Sequence, residues 1–241
     1  MKPNEVQTNE TLQFVLRNIP AQKFRILEVG CGSGALAKQL HDLGHEVVAI
    51  DSSAESIAAS KELGVDARVA SFPAFDEAPF DVILFTRSLH HIRPLSSAVT
   101  QAHRLIKSSG SLLVEDFAFT ETNVHTTTWF YRLLKLLEAC NVLLPAEESF
   151  GRKLLKGGGG MSLWQDHVHE INTALQVSQA ISERFEILQA ESAPYLYRYV
   201  SELVEDSEQG RQIVSRVLDL EKEAGQEGFL IGRRFVGKPG I

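Results

Sequence analysis

Three glycines spaced two apart, Gly30, Gly32 and Gly34, follow directly on the apolar run Ile26-Leu27-Glu28-Val29. A loop with so few side chains turns tightly and brings its backbone against a ligand with no Cβ in the way, while the N–H groups of a following helix face a negative group. Nucleotide-like ligands are held by loops of this kind. Asp51 ends a second apolar run, Val47-Val48-Ala49-Ile50, and stands 21 residues beyond Gly30. That is close to the roughly 20-residue offset at which a carboxylate accepts hydrogen bonds from ribose hydroxyls. An acid that merely capped a helix beginning near Ser53 would not need this register with the glycines. A third apolar run, Phe80 to Phe85, leads through Thr86-Arg87-Ser88-Leu89 into the pair His90-His91. Imidazoles titrate near working pH and so are candidates for moving a proton.

Two ligand classes compete for the loop. Gly30, Gly32 and Ala35 fit the G-x-G-x-x-A dinucleotide pattern. Gly30, Gly32 and Gly34, with Glu28 two residues ahead, resemble the first motif of class I S-adenosylmethionine-dependent methyltransferases. A ribose acid suits both NAD and S-adenosylmethionine. The rest of the chain separates them: Phe80 to Ile92, followed by a helix from Pro94 to Ile106, looks like the fourth methyltransferase motif. Ala102 to Asp116 resembles the same family's helix, glycine turn and fifth strand, with Gly110 as the helix stop, and Gly228 to Lys238 its final antiparallel strand. The resemblance covers residues 23–116 closely and 183–192 and 228–238 loosely; 117–182 and 193–227 match no motif. Tyr131-x-x-x-Lys135 has the spacing of short-chain dehydrogenases, but the glycine loop lacks their T-G-x-x-x-G-x-G form and Tyr131 comes too soon after it. Phe130, Leu133, Leu134 and Leu137 make that segment an amphipathic helix instead.

The resemblance implies a doubly wound α/β fold: a mostly parallel seven-stranded sheet with an antiparallel last strand, and a helical lid insertion after strand five. It implies S-adenosyl-L-methionine as cofactor, held by Glu28, Gly30, Cys31, Gly32, Gly34, Asp51, Ser52, Ser71, Phe72, Thr86 and Arg87. Ser71-Phe72 departs from the family, which usually has there an acidic residue against the adenine amino group. Transfer of a methyl from a sulfonium needs chiefly alignment, and a base only when the acceptor arrives protonated. His91 and His167 are the candidate bases, with His90 as cofactor floor. No Asn-Pro-Pro-Tyr type sequence follows strand four, which counts against amide and adenine N-methylation and leaves oxygen, amine and carbon acceptors. A second reading is a methyltransferase-like protein that binds the cofactor, or a partner, without turnover.

The elements that must carry these residues follow from punctuation. A helix over about Thr8–Arg17 precedes strands and helices alternating through Asp116, the pattern of a parallel sheet covered on both faces. Within the insertion, Asn123 to Val142 and Asp166 to Ser182 read as helices, and Gly157 to Gly160 as the hinge of a lid bringing Trp164 and His167 to the acceptor. Trp164, Asp166, His167, His169 and Glu170 are dense in polar chemistry, but no metal centre is expected. Tyr195 to Val200 reads either as an aromatic wall or as a half-buried element, and residues 201–227 as a solvated helix pair.

Composition bounds the rest. With 241 residues, 44% of them hydrophobic, and no linker-like stretch, one methyltransferase domain is expected over 1–241. It divides into an N-terminal helix (1–22), a cofactor-binding core (23–116), the lid insertion (117–182) and C-terminal strands with a helical insertion (183–241). A net charge of −7 argues against a nucleic-acid substrate, and the short cluster Arg152, Lys153, Lys156 does not reverse it. The acceptor is expected to be a small molecule. Cys31 and Cys140 form neither a zinc pattern nor a disulfide framework, no apolar run can span a membrane, and Met1 to Glu10 lacks a signal-peptide core. A cytoplasmic setting is expected; nothing in the sequence sets an oligomeric state.

Overall fold

A computed structural model describes residues 2–166, 171–225 and 229–240. The chain runs through α1 (Pro3–Asn18), β1 (Arg25–Val29), α2 (Ala35–Asp42), β2 (Glu46–Asp51), α3 (Ala54–Glu62) and β3 (Asp66–Val69). It continues with β4 (Phe80–Thr86), α4 (Leu95–Leu105), β5 (Ile106–Phe117), α5 (Val124–Ala139), α6 (Phe150–Lys156) and α7 (Met161–Asp166). Last come α8 (Ala174–Ser182), β6 (Phe185–Ala193), α9 (Tyr197–Ser201), α10 (Glu208–Ala224) and β7 (Gly232–Pro239). The described residues fall into two compact units, one drawn from Thr8–Asp116, Ile171–Glu191 and Arg233–Ile241, the other from Met1–Gln7, Phe117–Glu170 and Ser192–Gly232.

The first unit is built on a seven-stranded sheet of order β3-β2-β1-β4-β5-β7-β6. β1 pairs in parallel with β2 (Leu27 opposite Val48) and with β4 (Leu27 opposite Ile83), so the strand order reverses direction between β1 and β4. β7 is antiparallel to β5. It is antiparallel to β6 as well, since Gly232 lies against Ala193 while the Gly240 N–H donates to the Arg184 carbonyl. This is the sheet expected from the sequence.

Alternate residues of each strand face opposite layers. Leu27, Val29, Ile83, Phe85, Leu112 and Val114 form one core with α4 and α8. Ile26, Val47, Ala49, Leu84 and Leu113 form another with Phe14 and Val15 of α1 and Leu36 and Leu40 of α2. The same alternation puts Glu28 and Glu115 on the α1–α2 side and Asp116 on the α4–α8 side.

Several elements differ from expectation. Gly110 is no helix stop: it lies inside β5, where a Cβ would fall 2.6 Å from Ile106 Cγ1 and 2.9 Å from the Asp81 carbonyl oxygen. The β4–β5 register shifts at this place, and only a glycine allows the close approach. The helix expected over Asp166–Ser182 is not one element, since α7 ends at Asp166 and α8 begins at Ala174 behind a Thr173–Gln176 capping box. Val177, Ala180 and Ile181 of α8 are buried in the core of the sheet, so this stretch belongs with the sheet and not with the insertion.

The second unit is helical. Asn123 accepts from the N–H groups of His125 and Thr126 and so starts α5 where the sequence placed it. Trp164 is fully buried against Phe119, Phe130, Phe150 and Tyr199, with Phe150 nearest at 4.6 Å between ring centres. It is therefore a core residue of this unit, not a side chain offered to an acceptor. Residues 201–227 are not a solvated pair. Among the described residues they hold one long helix, α10, whose Glu221 is buried and accepts from the N–H groups of Tyr195, Leu196 and Tyr197 at 2.6–3.0 Å. The carboxylate caps the turn entering α9, which leaves Tyr195 stacked on Phe117 at 4.7 Å.

Candidate functional site

At the β1–β4 switch point the chain leaves both strands through glycine or left-handed backbone. Gly30, Gly32 and Gly34 all have positive φ, between 53° and 78°. Gly30 must be glycine twice over, because a Cβ there would stand 2.4 Å from that of Ser88. Gly32 has nothing within 4 Å of the place its Cβ would take. The loop is pinned from β2: the N–H groups of Gly30 and Cys31 donate to the Ile50 carbonyl, and that of Gly32 donates to Asp51 Oδ2 at 3.0 Å. Asp51 Oδ1 accepts from the Ser53 N–H at 2.8 Å, while Ser53 itself caps α3. A carboxylate offers about four lone-pair positions, so two remain for further donors.

Beside this loop lies a cleft of about 440 Å³ lined by Val29, Gly30, Ile50, Asp51, Ser52, Ala70, Ser71, Phe72, Arg87, Ser88, His91, Ile92 and Arg93. Its size and mixed lining suit a small organic ligand. Of the residues expected to hold the cofactor, Gly30, Asp51, Ser52, Ser71, Phe72 and Arg87 line this cleft, as does His91. Phe72 serves both roles open to it, lining the cleft while packing edge-on against Phe85 in the core at 5.4 Å.

Glu28, Cys31, Gly32, Gly34 and Thr86 are not in the lining. Glu28 is buried on the α1–α2 side and accepts from Thr86 Oγ1 at 3.1 Å; its other oxygen has no partner, and burial pushes its carboxyl up to about 7. Cys31 packs in the core near Ser60, and burial pushes its thiol up to about 12. The Cys31 side chain is thus inert, and only its backbone belongs to the loop.

Arg87 adopts φ 62° and is tied to Glu115 twice, by its N–H to the carbonyl at 2.6 Å and by Nη1 to Oε1 at 3.2 Å. Glu115 in turn accepts from Thr11 Oγ1 at 2.7 Å and Arg234 Nε at 2.8 Å. This network fixes the Arg87 guanidinium on Glu115, while the residue itself lines the cleft. Around the 3-10 turn Leu89–His91, the two histidines part. His91 is exposed and lines the cleft, whereas His90 is buried and is not part of the lining. Its main-chain N–H donates to Asp116 Oδ2 at 3.0 Å and its Nδ1 pairs with Asp116 Oδ1.

Sequence reasoning missed Asn172. Its Nδ2 donates to the carbonyls of Leu89 and Ile92, and its N–H to that of His90 at 2.8 Å. About 80 residues of sequence separate Asn172 from this turn, so no local signal could have found it. His167, His169 and Glu170 lie outside the described residues. Among the described residues no group of three or more potential metal ligands occurs, and no helix is long and apolar enough to cross a membrane.

A parallel sheet with its last strand reversed, a three-glycine loop at the switch point and an acid at the end of β2 together define the class I methyltransferase fold. Residues 27–114 match the family model described as a methyltransferase domain. A ubiquinone biosynthesis O-methyltransferase of Pelagibacter ubique is 30% identical over 118 residues, 45% of this chain and 49% of that protein. The chain thus spans about half the length of the curated relatives it matches. Among solved structures, the PH0226 protein of Pyrococcus horikoshii OT3 superposes with a TM-score of 0.57 at 18% identity, covering 96% of this chain and 89% of the other. The magnesium protoporphyrin IX methyltransferase of Synechocystis PCC 6803 with bound SAH gives 0.55 at 11% identity, over 99% and 84%. At such identities these two likenesses speak for the fold.

Proposed function

We propose that this protein transfers a methyl group from S-adenosylmethionine to a small-molecule acceptor. One juxtaposition carries the reading: an acid-braced glycine loop and an exposed imidazole, His91, border the same cleft at the switch point of the sheet. The open space at Gly32 and the unused lone pairs of Asp51 fit an adenosyl ligand, with Gly30, Asp51, Ser52, Ser71, Phe72 and Arg87 holding it. When bound, the cofactor supplies a methyl already activated by its sulfonium, and the protein's share is alignment and exclusion of water.

An oxygen acceptor, favoured by the name of the Pelagibacter relative, arrives protonated. Burial first, and the neighbouring His90 second, hold His91 below the ordinary imidazole range against the pull of Asp116. That shift favours the neutral imidazole, the form able to take the acceptor's proton. The segment 117–170, outside the family match, is the region we assign to acceptor choice, with His167 as the second candidate base. We take residues 1–241 as one functional domain, since the chain passes between the two units at 7/8, 116/117, 170/171, 191/192 and 232/233.

S-adenosylmethionine and S-adenosylhomocysteine should raise the melting temperature, and NAD(H) and NADP(H) should not. Release of S-adenosylhomocysteine over a panel of phenols, carboxylates and amines then identifies the acceptor. Cofactor binding with no turnover on any of them would favour the binding-protein reading; calorimetric binding of NADH alone would sink both.

A further inference from the structure

The cleft beside the glycine loop is charged unevenly along its length. Val29 of β1 pairs with Ile50 on one side and with Phe85 on the other, so β2 and β4 reach the cleft at one level, roughly 10 Å apart across β1. Asp51 stands on the β2 side and is the one carboxylate among the lining residues. The β4 side supplies Arg87, His91 and Arg93 and no acid. The two arginines differ. Arg87 is bonded to Glu115, which also accepts from Thr11 and Arg234, so its charge is answered inside the sheet unit. Arg93 is exposed, and its side chain has no ion pair or hydrogen bond among the described residues. No acid stands in the first turn of α4, which begins two residues later, to offset it.

We propose that Arg93 is an anion-binding group for the acceptor, so that the molecule to be methylated carries a carboxylate. The assignment rests on the methyltransferase reading and adds to it a charge requirement on the substrate. A guanidinium left unpaired in a cleft offers a carboxylate two parallel N–H donors, whereas a neutral molecule of the same shape gains little from it. The cofactor has a carboxylate of its own, and position separates the two claims on the arginine. The residues assigned to the cofactor end at Arg87, while Arg93 stands beyond the 3-10 turn Leu89–His91, beside His91 on the solvent-exposed part of the lining. An acceptor coming from solvent meets both side chains. Because Arg93 is open to water, its preference for an acid over a neutral isostere is about fivefold, the upper range for exposed ion pairs, and is screened by salt.

The test titrates meta-hydroxybenzoate and meta-hydroxybenzamide, alike in shape and different in charge, into the full chain by NMR, with and without S-adenosylhomocysteine. The unaltered protein should bind the acid about fivefold more tightly than the amide, and high salt should narrow the difference. Arg93→Gln should abolish the preference while leaving S-adenosylhomocysteine affinity unchanged, and Arg93→Lys, which keeps the charge without the fork, should retain part of it. Equal affinity for the two probes, no binding of the acid, or a preference that survives in folded Arg93→Gln would overturn the proposal. So would a loss of S-adenosylhomocysteine affinity in Arg93→Gln with the preference for the acid intact, since that result gives the arginine to the cofactor's carboxylate. Failure to bind S-adenosylhomocysteine at all would refute the methyltransferase reading, and the titrations made without it would still decide whether Arg93 takes an anion.

Discussion

Asp51 Oδ2 accepts the backbone N–H of Gly32 at 3.0 Å, so the carboxylate suited to a ribose also braces the loop that would cradle the cofactor. The proposed ligand recognition and the loop geometry thereby depend on one side chain.

Replacing Asp51 with Asn should weaken S-adenosylhomocysteine binding by about 1.5 to 3 kcal/mol, the range for hydrogen bonds to a charged group. Stability should fall less, because an amide oxygen can still accept one of the two N–H groups now bonded to Asp51. Calorimetric titration and a urea melt separate the two effects. Unchanged affinity in the folded variant would reduce Asp51 to a brace.

Gly30→Ala and Gly44→Ala form a paired test, since both glycines have positive φ, 74° and 92°. At Gly44 nothing lies within 4 Å of the added methyl, and only backbone strain of about 1 kcal/mol is expected. At Gly30 the methyl would strike Ser88, whose Oγ bonds to the Val29 carbonyl. Denaturant melts should therefore show a larger loss for Gly30→Ala, and only that variant should lose cofactor binding. Equal losses would mean the β4 turn yields freely.

Burial pushes Glu221 from 4.5 up to about 7, outweighing its three backbone N–H donors and Arg198. An acid with a raised folded-state pKa binds more protons folded than unfolded between those two values, so its contribution to stability is lost as pH rises from about 4.5 through about 7. Glu28, pushed to about 7 by burial, adds to the same trend. Between pH 5 and pH 8, Glu221→Gln should therefore lose less stability than the unaltered protein, by at most about 3 kcal/mol. Identical pH dependence of the two urea midpoints would refute this.

Trp164→Ala should destabilise the helical unit by about 3 to 5 kcal/mol, the cost of emptying a buried aromatic site. Limited proteolysis should then cut within Phe117–Glu170 before it cuts the sheet. A selective loss of turnover with unchanged stability would restore the acceptor-facing role that the sequence suggested for this residue.

The strand–loop–helix around Gly30 and the register of Asp51 could be read from the chain because their signals are local. Glycine's backbone freedom and the two-residue alternation of a strand act within a few residues. The sheet order followed from them, since alternating strands and helices leave few right-handed ways to wind. Tertiary structure decided the roles of side chains whose partners are distant in sequence. Trp164 reads as exposed chemistry until four other rings enclose it, and Glu221 as a solvated helix acid until the turn at Tyr195–Tyr197 takes up its charge. The sequence presents His90 and His91 as equals. One is buried on Asp116 and the other faces the cleft because the β5 end and Asn172 meet the turn on one side only, a relation made by packing across the sheet and not by neighbours along the chain.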